Sequence, residues 1–94
     1  MRTIFWSVPA EADLGGIDDY WLARDGERAD RLLDRVEKAA QRLRHVPEGG
    51  PLVGRENMRK WRVAGTPCSL LSRVRGEAIE ILRVHHGAQD WRPE

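Results

Sequence analysis

The chain holds a single cysteine, Cys68, in 94 residues. An intramolecular disulfide is thereby excluded, and so is a thiolate zinc site, which needs paired cysteines at ligand spacing. Cys68 reads as a small apolar strand residue rather than a nucleophile. Long hydrophobic runs are also missing. No stretch approaches the roughly 18 to 20 apolar residues that cross a bilayer, and Met1–Ser7 is too short an apolar segment for a secretory signal; the expected location is the cytoplasm. Metal-binding patterns are absent as well. His45, His85 and His86 form neither zinc spacing with Cys68 nor a His-Glu-x-x-His helix, so no metal and no cofactor is expected. Tyrosine occurs once, at Tyr20, and aromatic bulk falls instead to Trp6, Trp21, Trp61 and Trp91, all expected in or around the core.

What is present fits one soluble globular domain over residues 1–94. A chain this short buries only about 60 to 65% of its unfolded surface and cannot support two cores. The net charge of +1 conceals an asymmetry: residues 1–30 carry seven acids and three bases, residues 31–60 eight bases and four acids, and residues 61–94 five bases and four acids. A block of bases beginning near Arg31 suits a nucleic acid or an acidic protein partner, and equally a solvated helix face.

Periodicity sets the element order. Arg2 to Ser7 is short, β-branched and aromatic, as a strand requires. Ser7 then offers a cap and Pro9 sits where a first helical turn tolerates it. Leu14, Ile17 and Trp21 share one face of the helix that follows, and Asp25-Gly26 is expected to end it. A second helix, from about Glu27 to His45, carries an apolar stripe of Ala29, Leu32, Leu33, Val36, Ala39, Ala40 and Leu43, with Arg31, Asp34, Arg35, Lys38 and Arg42 opposite. Pro47, Gly49-Gly50 and Pro51 break it, and residues 47–57 read as a loop. Three strand-like segments follow, Met58–Ala64, Cys68–Arg75 and Ala78–His86, joined by tight turns at Gly65-Thr66-Pro67 and Gly76-Glu77. The last segment is apolar on both faces, so it is expected to be central. The order β-α-α-β-β-β describes an α+β fold, a helical hairpin on one face of a small, mostly antiparallel sheet.

Three motifs carry a resemblance in that order: Asp18-Asp19-Tyr20-Trp21, then Arg59-Lys60-Trp61-Arg62-Val63, then the run from Ile79 to Trp91, "IEILRVxHxAxDW". Together they resemble the RelE/ParE superfamily of toxin–antitoxin toxins over nearly the whole chain, and the last motif is most similar to the ParE-like branch. The resemblance implies a toxin neutralised by an antitoxin encoded alongside it, with an antitoxin segment wrapping the sheet edges and the groove between hairpin and sheet. Leu14, Trp21, Leu32 and Val36 are the expected antitoxin contacts. ParE-like relatives poison DNA gyrase, whereas RelE-like relatives cut messenger RNA on the ribosome. At the places where cutting relatives carry two arginines and a C-terminal tyrosine, this chain has Ser69, Gln89 and no tyrosine. That departure favours gyrase as the target; a ribosome-dependent mRNA interferase and a detoxified antitoxin-binding module stay open.

RNA cleavage through the 2′-hydroxyl needs a base, cations for the phosphorane-like transition state and an acid. His86, Arg83 and Asp90 are the residues of those types, if the protein is a nuclease. Adjacent strand residues point to opposite faces, so His85 and His86 cannot act as a pair. A local role stands beside the catalytic one: His86 bonded to loop backbone, His85 half-buried against the helices. Lys60, Arg62, Arg73, Arg75 and Arg83 alternate on neighbouring strands and are expected to form one patch on the uncovered sheet face, for RNA phosphates or an acidic antitoxin segment. For Arg83 the competing expectation is a buried pair with Glu80 or Asp90.

Overall fold

A computed structural model describes residues 2–87. Its order is β1 (Thr3–Trp6), α1 (Val8–Leu22), α2 (Gly26–Arg42), β2 (Arg59–Arg62), β3 (Cys68–Arg75) and β4 (Ala78–His86). The strands form one mixed sheet in the order β1-β4-β3-β2. β1 runs parallel to β4, while β3 is antiparallel to both β4 and β2. The α+β architecture read from periodicity is the one observed, with β4 central.

Ser7 caps α1: its Oγ accepts from the Ala10 amide at 3.1 Å and donates to the Leu82 carbonyl at 2.8 Å, fastening the helix start to β4. The Asp25-Gly26 pair acts differently from expectation. Asp25 is the N-cap of α2, accepting from the Arg28 amide at 3.2 Å, and Gly26 is that helix's first residue. α1 has already stopped at Leu22, so the pair starts a helix instead of ending one. An aspartate suits either end of a turn in sequence, but only an N-cap gives its carboxylate an orphan amide to satisfy. β2 is shorter than the Met58–Ala64 expected.

The core lies between the hairpin and one sheet face. Ile17, Leu32, Val36, Ala40 and Leu43 from the helices meet Val63, Cys68, Leu70, Ile79, Ile81 and Val84 from the sheet. Each large apolar side chain here contributes about 1.5–3 kcal/mol through burial. Cys68 behaves as read, a fully buried apolar residue, and burial pushes its thiol up to about 11. Trp6, Trp21 and Trp61 pack partly buried against the core, while Trp91 lies outside the described residues.

β4 is irregular at one point. Leu71 pairs with Arg83 but Ser72 pairs with Ile81, which leaves Leu82 as an extra residue. The bulge shifts the alternation by one, so the inward set runs Ile79, Ile81, Val84, His86, all fully buried. The apolar residues on both faces of this segment are thus the mark of a bulge as well as of a central strand.

Candidate functional site

Past the bulge, β4 has lost its β1 neighbour, because β1 ends at Trp6 opposite Ile81. Helix α1 takes over that edge. Asp13, only 4% exposed, receives the Val84 amide at 2.9 Å on Oδ2. It also grips Arg83 through both oxygens, Nε to Oδ2 at 2.8 Å and Nη2 to Oδ1 at 2.9 Å. A bidentate guanidinium and an amide donor together satisfy a carboxylate that would otherwise be costly to bury. The pair holds the Arg83 charge firmly, raising its pKa above the ordinary value. Of the expected partners of Arg83, Glu80 is instead engaged by Arg73, and Asp90 lies outside the described residues.

His86, fully buried, points into the hairpin. Its Nε2 accepts from the Trp21 indole Nε1–H at 2.8 Å, and the Tyr20 and Trp21 rings lie 5.9 and 5.7 Å from it, centroid to centroid. Accepting at Nε2 makes the ring neutral with its proton on Nδ1, and burial lowers its pKa in the same sense. His86 and Arg83, the residues expected to serve as base and cation in a nuclease, are each engaged in bonds within the fold. His86 is spent on positioning the end of α1, and Arg83 lies on the opposite face of β4, so the two do not converge on a substrate. The local partner is the Trp21 indole, not loop backbone.

His85 shares the open sheet face with Arg83 and Lys60, and its pKa is lowered first by burial and then by the Arg83 charge. His85 is half-buried, as expected, and the bulge places it on the strand face opposite His86. The expected single cationic patch on this face is divided. At one end Arg73 is clamped by Glu80 at 2.9 Å and Glu56 at 2.8 Å, with Arg75 at 3.7 Å from Glu80. At the other, Lys60 and Arg62 pair in register with Leu71 and Ser69, whose β4 partners are Arg83 and His85.

Two grooves flank α2, and the helix sequence explains both. Side chains three and four apart share a flank. Bases at 28, 31, 35, 38 and 42 line one flank, acids at 27, 30, 34 and 37 the other, and the apolar stripe faces the core between them. Toward α1 and β1 lies an apolar groove of about 300 Å³ formed by Trp6, Leu14, Leu33 and Val36 and rimmed by Glu11 and Glu37. Toward β2 lies a groove of about 380 Å³ with Arg35, Lys38, Arg42 and Arg62 around Ala39, Trp61 and Val63. A smaller cleft of about 230 Å³, walled by Arg28, Arg31, Arg35 and Thr66, continues it.

This geometry is matched by known proteins. A family model described as the ParE toxin of the type II toxin–antitoxin system parDE matches residues 4–91. The chain belongs to the ParE toxin family. It is a toxin of a type II toxin–antitoxin system, of the ParE-like branch of the RelE/ParE superfamily, and its partner is a cognate antitoxin. A solved structure, the chromosomal ParDE system from P. aeruginosa, superposes with a TM-score of 0.83 at 27% identity, covering 92% of this chain and 96% of that one. No curated protein matches it.

Of the expected antitoxin contacts, Leu14 and Val36 line the apolar groove. Leu32 is 5% exposed within the core, and the half-buried Trp21 donates to His86. Sequence reasoning missed Trp6 and Leu33 as groove residues and Asp13 as the partner of Arg83. The signal for Asp13 was its spacing: with Ala10 and Ile17 it falls on the buried face of α1, where a lone acid needs a cation. Among the described residues, no cluster of His, Cys, Asp or Glu is arranged to hold a metal, and no helix is long and apolar enough to cross a membrane.

Proposed function

We infer that the toxin, a single domain acting in the cytoplasm, inhibits DNA gyrase by protein–protein contact without a catalytic centre of its own. The observation that carries this reading is the use of His86 and Arg83 as structural ties to Trp21 and Asp13 on opposite faces of β4, which speaks against their acting together on RNA. The antitoxin segment occupies the apolar groove beside β1. Trp6, Leu14, Leu33 and Val36 supply an apolar slot for the side chains of an amphipathic helix, Glu11 and Glu37 select basic residues flanking it, and the adjoining β1 is an edge strand. The test is a supercoiling assay: micromolar toxin should stop gyrase from supercoiling relaxed plasmid, and adding antitoxin should restore it. Untouched supercoiling would overturn the reading.

A second reading, a ribosome-dependent mRNA interferase, is supported by one feature, the half-buried His85 beside Arg83 and Lys60 on the open face. A neutral imidazole next to two cations suits 2′-hydroxyl activation. It requires mRNA cut at defined codon positions in a translation reaction, lost in His85→Ala; intact mRNA rejects it.

A further inference from the structure

The apolar groove and the open sheet face leave the basic flank of α2 without a role. Arg28, Arg31, Arg35, Lys38 and Arg42 are all exposed and run about 21 Å along the helix, given 1.5 Å per residue, with Arg62 on the opposite wall. Little of this charge is neutralised. Lys38 pairs with Asp34 at 3.0 Å, Arg28 sits over the Trp21 ring at 4.4 Å, and Arg35 donates to the Ala64 carbonyl at 3.3 Å. Arg31, Arg42 and Arg62 have no carboxylate within ion-pair distance among the described residues. A row of guanidinium groups held at fixed spacing on a rigid helix is suited to a row of phosphates.

We propose that this flank binds the phosphate backbone of duplex DNA, in a sequence-independent manner and along one strand. Three observations select that occupant. An extended peptide would have to add to the outer edge of β2, but that edge is already covered: the Lys60 amide donates to the Pro51 carbonyl at 3.1 Å, and Leu52 bridges Arg59. A single-stranded nucleic acid needs an aromatic platform for its bases. Among the described residues the one aromatic ring lining the groove, Trp61, packs against the core and under Gly49, where an added Cβ would stand 2.5 Å from the ring. Finally, the acids at 27, 30, 34 and 37 line the other flank, so α2 cannot sink into a groove between two backbones and instead meets one.

The test uses the full-length toxin and a fluorescent 20-base-pair duplex of arbitrary sequence, with binding followed by anisotropy from 50 to 200 mM salt. Contact with about five phosphates gives a log–log salt slope of about −4.5. Arg31→Gln/Arg42→Gln should bind at least tenfold more weakly at 50 mM salt, with a slope shallower by about two. Arg62→Gln, on a different element, should lower the slope by about one, and Arg31→Lys/Arg42→Lys should stay within about threefold of the parent. The control Lys60→Gln/Arg75→Gln removes two charges from the open face and should leave binding within about twofold, with unchanged thermal melting certifying every fold. Absence of duplex binding by the parent overturns the proposal. So does an equal loss in the control, which would reduce the effect to net charge. Tighter binding of a single-stranded RNA of the same length, or of polyglutamate at equal charge, would likewise overturn it in favour of an RNA or an acidic protein.

Discussion

The two sides of helix α2 are built from the same seventeen residues and offer opposite chemistry. Toward α1 the wall is apolar with an acidic rim; toward β2 it is basic with a thin apolar floor. The first side depends on where α1 lies, because Leu14 and Trp6 complete it, and α1 in turn is fixed by Asp13 on β4 and Trp21 on His86. The second depends on β2 and its covering loop. One helix thus presents two surfaces of opposite chemistry, and separate perturbations should alter them separately.

The largest expected effect is on the apolar side. Leu14→Glu or Leu33→Glu places an unpaired charge in the slot and should weaken antitoxin binding by about 4 kcal/mol, roughly a thousandfold, as for an interface hot spot. Titration calorimetry against the cognate antitoxin measures it. DNA binding should be untouched; a parallel loss of both would show that the two sides are one surface.

Next comes Asp13→Ala, which strands the Val84 amide and breaks a pair buried on the carboxylate side. Its cost should be about 3 kcal/mol in urea unfolding. Antitoxin affinity should suffer more than duplex binding, because α1 shapes only the apolar groove. An unchanged unfolding midpoint would contradict the role given to this carboxylate.

The smallest effect is acid sensitivity. His85 and His86 both have pKa values lowered from 6.5 by burial, so the unfolded chain takes up their protons first as pH falls. Stability is complete above about pH 6.5 and declines as pH drops below it toward the folded values. Melting temperature should fall by a few degrees between pH 7.5 and 5.5. The fall should shrink in His86→Gln, whose amide keeps an acceptor for Trp21 without titrating. A melting temperature that rises on acidification would reverse the assignment of a neutral His86.

Much of this was legible in the chain itself. The stripe Leu32, Val36, Ala40, Leu43 declares a helix with one buried face, and the boundaries of β3 and β4 coincide with the runs Cys68–Arg75 and Ala78–His86. These are local consequences of side-chain period, which a sequence carries directly. The helix periodicity also segregates acids from bases on α2, although the groove each flank borders depends on what packs beside it.

The sequence by itself therefore determined the element order, the buried stripe, the loneliness of Cys68 and the membership signalled by its closing motif. Tertiary structure alone decided which face each β4 residue takes. One extra residue at Leu82 inverts the alternation, sending His86 inward to Trp21 and leaving Arg83 to wrap toward Asp13, seventy positions away in the chain. A bulge is a property of pairing between strands, and an ion pair across that separation is a property of packing. Neither leaves a period in the sequence to read.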